Sequence, residues 1–459
     1  MAQPVPMTGF RSNKRLRTDF TWVLSGNLLY SACQWGIVVA LAKLGNPEQV
    51  GEYALGMAVS APIVLFANLG LRALLVSELK DRFSFGQYLT FRLVSLSAAL
   101  LLIVGAVACM QSNWRLGGIV VLVGFAQALE FISETYYGFM QKHERMDRIA
   151  ASLLLKGPLS LAALCGAMYV TRSIVWAVIG LVFGRLLVLL AWDSRLDFAK
   201  TERSAFGVHL EWNSSEMLTL LRMALPLGII SMLISLNLSI PRYFVEAHSG
   251  SAELGIFSAI ASLLTAGNLV VSAFGQAIFL PVARACAAVD RAKYRGYVAM
   301  AAALGGAFGG LAILGAILFG RSILTHLFRP EYGERPDILF RLMIAGTIMF
   351  IASGLGYVIT AAGCLRPQIP VLLAAAIAAA ATSAWSIPKY GLSGAADAAL
   401  AAALVQLMGS GAILWKIDRG LQRKIVSPLA SDGPVRGYVN GAEVSFSSSE
   451  VANLYATTK

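Results

Sequence analysis

From Phe20 to Trp415 the chain returns again and again to apolar runs of about 20 residues, the length a helix needs to cross a bilayer's hydrocarbon. Twelve such runs are expected, at approximately 20–42, 50–76, 88–110, 115–139, 149–170, 173–192, 218–245, 253–281, 296–319, 336–361, 369–387 and 393–415. Lipid offers no hydrogen bonds, so each run must satisfy its own backbone and reads as a helix. Of the 459 residues, 57% are hydrophobic and 14% charged, against roughly 25% charged in a soluble domain. The expected fold is an all-α polytopic membrane protein. The first run is too long for a signal peptide's apolar region of about 7–15 residues, so it reads as a retained helix.

Lys and Arg placement orients such a chain, because cytoplasmic segments collect them. With the N-terminus inside, 24 of them fall on inner segments and eight on outer ones. Both termini are therefore expected in the cytoplasm. The net charge of +12 needs no nucleic acid, since topology and contact with anionic headgroups account for it. The longest internal polar stretch divides the chain, giving an N-terminal tail (1–18), an N-lobe (19–192), a linker (193–217), a C-lobe (218–416) and a C-terminal tail (417–459). The halves echo one another. "VGEYALGMAVSAPIVLFANL" opens the second span and "LGIFSAIASLLTAGNLVVSAF" the eighth, each with a Gly-x-aromatic after a short outer turn. Such internal repeats are a common way to build transporters.

Enzyme signatures such as G-x-x-x-x-G-K-[ST], H-E-x-x-H and G-x-S-x-G are absent from the sequence. The five cysteines and four histidines are scattered singly, so no metal or other cofactor is implied. The eighth span carries Ser258, Ser262, Thr265, Asn268, Ser272 and Gln276 at helical spacing, a polar stripe that must face protein or water. It reads equally as a cavity wall or as ordinary interhelical hydrogen bonding. The first span offers a shorter version in Asn27, Ser31 and Gln34.

Charges inside spans are expensive, about 2.5–3.5 kcal/mol each even on the lenient scale, and they call for partners or functions. Glu130 and Glu134 share one face of the fourth span. They read either as partners of Lys156 or Arg185, or as a proton-carrying, ion-coupling pair. Across the interior the cations Arg72, Lys156, Arg185, Arg222 and Arg341 outnumber Glu130, Glu134 and Asp397. Surplus guanidinium suits the forked oxygens of a diphosphate or acidic sugar. Arg72 and Arg222, near span ends, also fit simple snorkelling.

The runs "VGEYALGMAVSAPIVLFANLGLRALLVSELKDRFSFGQYLTFRL", "YYGFMQKHERMDRIAASLLLKGPLSL" and "NLSIPRYFVEAHSGSAELGIFSAIASLL" resemble the Wzx-type polysaccharide flippases of the multidrug/oligosaccharidyl-lipid/polysaccharide exporter superfamily. The resemblance covers roughly residues 15–415. It implies two pseudo-symmetric six-helix lobes around a central cavity, rocking between inward- and outward-open forms under an ion gradient. The implied cargo is an undecaprenyl-diphosphate-linked oligosaccharide, moved from the inner to the outer leaflet of a bacterial inner membrane. A polysaccharide polymerase and a chain-length regulator are the implied protein partners. Arg72 and Arg242 sit on family-like segments. The first span has no Arg between Phe20 and Leu41, unlike the fourteen-span peptidoglycan-precursor branch. The alternatives are a drug/cation antiporter of the same superfamily, which favours an acidic, aromatic interior, and a membrane polysaccharide polymerase or ligase, which favours a large outer loop.

Overall fold

Asn46 shows how this sequence starts a span. Its side chain accepts from the backbone N–H of Gln49 at 2.9 Å, and the Gln49 side chain accepts from the Asn46 N–H at 3.2 Å, with Pro47 in the first turn. This reciprocal cap satisfies two donors that a helix start leaves orphaned. It separates α1 (Asn13–Leu44) from α2 (Pro47–Asn68). At the far end of α2, Leu69 (φ 52°) and Gly70 (φ 61°) are both left-handed, and the chain turns into the short α3 (Leu71–Ser77).

The computed structural model describes residues 13–78, 82–109, 113–195, 210–426, 435–439 and 442–446. Parts of the expected tails and linker, at 1–12, 196–209, 427–434 and 447–459, lie outside the described residues. The helices continue as α4 (Phe85–Cys109), α5 (Trp114–Lys142), α6 (Met146–Thr171) and α7 (Ile174–Val188), which runs into a π-helical turn at Leu189–Asp193. Then come α8 (Ser214–Ala287), α9 (Arg291–Leu327), a 3₁₀ turn at Pro330–Glu334, α10 (Pro336–Ala361), α11 (Gln368–Tyr390) and α12 (Leu392–Val426). A small antiparallel hairpin, Val435–Val439 with Ala442–Phe446, follows.

Among the described residues, eleven helices are long and apolar enough to cross a membrane, where twelve spans are expected. The difference lies at α8. A straight helix of its 74 residues would run about 110 Å, more than three times the hydrocarbon thickness. It breaks at Gly250, whose φ of 79° and ψ of 176° belong to a region essentially reserved for glycine. The break falls in "HSGSA", between the runs expected as the seventh and eighth spans.

Packing follows from where the small and apolar faces lie. α1 lies along α6, α2 sits against both α5 and α8, α10 packs on α9, α12 and α8, and α11 packs on α12 and α8. The Ala375, Ala376 and Ala379 face of α11 is buried with Ile240 of α8 and Ala402 of α12, so its poor hydrophobicity serves close approach. The largest core cluster runs from α1, α2 and α4–α7 into Val245, Leu254, Phe257 and Ile260 of α8 and Leu339 and Leu342 of α10. Outside, Leu101, Phe183, Leu311, Ile317 and Ile377 are each more than 60% exposed. That many bare apolar side chains have a favourable solvent only in acyl chains.

Replacing Gly250 with Ala forces a Cβ into the glycine-only region and is expected to cost about 1–3 kcal/mol. Ser249→Ala beside it is expected to cost less than about 0.5 kcal/mol. Thermal unfolding of the detergent-solubilised protein measures the difference, and equal effects would refute the reading.

Candidate functional site

The two acids of α5 stand among cations contributed by neighbouring helices. Glu130 lies with one oxygen 3.7 Å from the Lys156 ammonium of α6 and the other 3.9 Å from Nε of Arg185 on α7. Lys156 is fully buried and is shared: its Nζ is 3.3 Å from Asp193 and donates to the Tyr137 hydroxyl at 2.6 Å. Ser152 donates to Asp193 and shares a 2.7 Å hydrogen bond with Tyr137, so the ammonium sits in a closed polar cage. Arg185 also donates to the Ala126 carbonyl at 2.7 Å and to Gln34 of α1 at 3.2 Å, and Gln34 in turn bonds Tyr30.

Glu134, one turn further on, has no ion-pair partner within 4 Å among the described residues, but the charges of Arg72 and Arg92 act on it. Arg92 is fully buried on α4, with Nε on Thr135 at 2.9 Å and another nitrogen on the Asn68 carbonyl at 2.9 Å. Arg72 donates to Gln141 at 3.1 Å, with its guanidinium 5.8 Å from the Tyr137 ring centroid.

Two members of this cluster, Asp193 and Arg92, are absent from the interior that the sequence suggests. Asp193 opens the expected linker, and Arg92, four residues into the expected 88–110 span, is counted with the inner cations. Their signal is positional. Asp193 directly follows the apolar run ending at Trp192, and the π turn at 189–193 carries it to full burial beside Lys156. Arg92 stands seven residues inside α4, between Phe91 and Leu93. With both included, the described interior of the N-terminal half holds Arg72, Arg92, Lys156 and Arg185 against Glu130, Glu134 and Asp193. The cationic surplus of this half stays at one charge, four cations against three carboxylates where the sequence count has three against two.

The polar stripe of α8 divides in two. Ser258 and Ser262 are buried; Ser262 accepts from the Trp35 indole of α1 at 3.3 Å, and Ser258 Oγ has no hydrogen-bond partner. Further along, Thr265, Asn268 and Gln276 are exposed and Ser272 half-buried, with Asn268 bonded to Ser353 of α10 at 3.4 Å. On α1, Asn27 is exposed while Ser31 and Gln34 are half-buried. α1 and this part of α8 run in opposite directions, so both polar faces open at the same end of the molecule.

The remaining candidates stand apart. Arg341 of α10 pairs with Asp397 of α12 at 3.1 Å, in an exposed groove lined by Asp337, Phe340, Ile344, Ala396 and Leu400. Arg222 is exposed. Arg242 of α8 is half-buried, with Nε buried and without a hydrogen-bond partner, and Oε2 of Glu246 one turn on is in the same state. Next to it, the Tyr243 hydroxyl donates to the Ala58 carbonyl of α2. No group of three or more His, Cys, Asp or Glu able to hold a metal occurs among the described residues.

Lys156→Met strands Glu130 and Asp193 without their shared cation, and breaking a buried pair from one side costs about 3–5 kcal/mol. Adding Asp193→Asn to that variant removes one stranded charge and should recover part of the loss, a coupling that a double-mutant thermal-stability cycle measures. Simple additivity of the two changes would contradict the shared-cation geometry.

The comparisons agree with this architecture. Residues 16–284 match the family described as polysaccharide biosynthesis protein. The capsular polysaccharide biosynthesis protein CapF of Staphylococcus aureus is 28% identical over 381 residues, spanning 82% of this chain and 94% of that one. Among solved structures, a multidrug resistance MATE family transporter of the MOP superfamily, captured inward-facing, is similar with a TM-score of 0.68 at 13% identity, over 86% of this chain and 96% of the other. The lipid II flippase MurJ in an inward closed conformation is similar with a TM-score of 0.65 at 11% identity, over 90% and 93%. The fold is thus the multi-pass helical fold shared by these transporters, and the chain belongs to the polysaccharide biosynthesis protein family.

Proposed function

We propose that the protein is a flippase that carries an undecaprenyl-diphosphate-linked oligosaccharide from the cytoplasmic to the outer leaflet of a bacterial inner membrane. The observation that carries the reading is the asymmetry between the two ends of the α1–α8 contact. Polar faces are exposed at one end, while the helices are pinned through Trp35 and Ser262 further up. Such a wedge is what an inward-open carrier presents. Family membership, the capsular relative and the flippase among the structural neighbours support the cargo class.

In this proposal the two lobes are residues 19–192 and 218–416, the termini are cytoplasmic, and the turn at Gly250 lies on the outer side. Asn27, Ser31, Gln34, Asn268, Ser272 and Gln276 line the wedge and meet sugar hydroxyls. Arg72 and Arg185 stand at its N-lobe wall, and Arg242 waits higher up for the diphosphate, its unpaired nitrogen a stronger lure than a guanidinium already bound to carboxylate. Lys156 holds Glu130 in place rather than meeting cargo, and Arg341, tied to Asp397, lies outside the path. Glu130 is the coupling residue, since of the two acids that share Lys156 it is the one that keeps some exposure, 17% of its side chain against none for Asp193. Protonating it loosens Arg185 and frees that cation for the cargo. A polymerase and a chain-length regulator act on the product.

Deletion in the native host is expected to accumulate lipid-linked repeat units on the cytoplasmic leaflet and to abolish the surface polysaccharide. Glu130→Gln and Arg242→Gln should each lower rescue at least about tenfold while the protein stays in the membrane, the scale of one lost charge partner. Arg341→Gln should rescue to within about twofold. Unchanged polysaccharide in the deletion strain, with altered drug susceptibility instead, would overturn the reading in favour of an antiporter.

A further inference from the structure

The repeated Gly-x-aromatic motif has its meaning at the opposite end of the wedge. Gly51 of α2 and Gly255 of α8 are both buried, and neither has a left-handed φ, so no local conformation demands glycine at either place. What demands it is the other helix. A Cβ on Gly51 would collide with the carbonyl carbon and oxygen of Ser251 and stand 3.1 Å from the Gly255 nitrogen. A Cβ on Gly255 would collide with the Pro47 carbonyl oxygen and stand 2.9 Å from the Gly51 nitrogen. The clash is reciprocal and falls on backbone, which cannot rotate away. Two helices from the two halves of the chain touch here main chain to main chain, with no side chain between them.

Each helix is also tied to its own half. Glu52, next to Gly51, is held by Arg115 of α5 at 3.4 Å. Glu253, two residues before Gly255, is held by Arg335, just ahead of α10, at 3.4 Å. Across the halves, Arg329 donates to the Lys43 carbonyl at 2.9 Å, at the rim of the same contact. The seam therefore joins two separately braced bodies.

We infer that Gly51 and Gly255 form the outer gate of the transporter, a steric latch that exists only while the outer side is closed. The inference rests on the alternating-access reading above. When the halves part to open outward, the two main chains separate and a methyl group meets nothing. A Cβ at either glycine thus raises the energy of the outward-closed form alone and shifts the population toward the outward-open form.

The test uses the full-length protein with Cys33, Cys109, Cys165, Cys286 and Cys364 replaced by Ala and a single reporter, Ser258→Cys, one turn below Gly255. A membrane-impermeant maleimide is applied to the outer face. Labelling is expected to be slow in this parent and to rise at least about tenfold in Gly51→Ala and in Gly255→Ala, the scale of an overpacked contact relieved by opening. Gly310→Ala, whose Cβ meets nothing within 4 Å, should leave labelling unchanged. Arg329→Ala, which loosens the rim without a clash, should raise labelling in the same direction even if a glycine variant fails to reach the membrane. Unchanged labelling in Arg329→Ala and in whichever glycine variants are present would overturn the gate. Failure of the cysteine-carrying wild-type protein to restore polysaccharide in the deletion strain would sink the flippase reading instead, and labelling would still judge the seam.

Discussion

A fully buried ammonium in a membrane-spanning helix is tolerated only if charge of the other sign is built around it, and Lys156 sets that condition for the whole N-terminal half. Glu130 from α5 and Asp193 from the end of α7 both reach it, so three helices are fixed in register by one cation. The π turn follows from the same need. A regular α-helix advances about 100° per residue, and the extra residue in the widened turn swings Asp193 inward rather than leaving it at the membrane surface. Ser152 and Tyr137 then add one hydrogen bond each, to Asp193 and to the ammonium, of those that buried charges require.

The acids and bases of this cluster nearly cancel, four cations against three carboxylates, so its charges serve one another before they serve any guest. Its guanidiniums are partly occupied, by Glu130 and Gln34 for Arg185, by Gln141 for Arg72, and by Thr135 and a main-chain carbonyl for Arg92, while Nε of Arg185 and one terminal nitrogen of Arg92 are buried without a hydrogen-bond partner. An anion entering here competes with those partners. That favours multivalent groups such as a diphosphate, which offer several oxygens at once, over single carboxylates.

The sequence made the helices legible because twenty apolar residues have few other fates in a chain this hydrophobic. The pairing of Glu130 with Lys156 and Arg185 was legible too, since acids and bases sharing a depth in lipid have strong reason to meet. Arg92 and Asp193 were not, because rules that place Lys, Arg and Asp in water have no term for a side chain satisfied by a neighbouring helix. The α8 stripe could be seen as one feature, but its division at Ser262 depends on where α1 crosses, and helical periodicity carries no information about a crossing point. The recurrence of Gly-x-aromatic was visible as a repeat. That the two copies face each other is a property of how the halves are folded together, which no single stretch encodes.

The seam at Gly51 and Gly255 is made of main-chain atoms that every sequence possesses, and it recognises nothing about what passes beneath it. In the proposed transport cycle the cargo is met instead by side chains on α1, α3, α7 and α8. Closure and recognition therefore draw on separate positions in the chain. A flippase built in this way can repaint its walls to suit a new sugar without rebuilding the door.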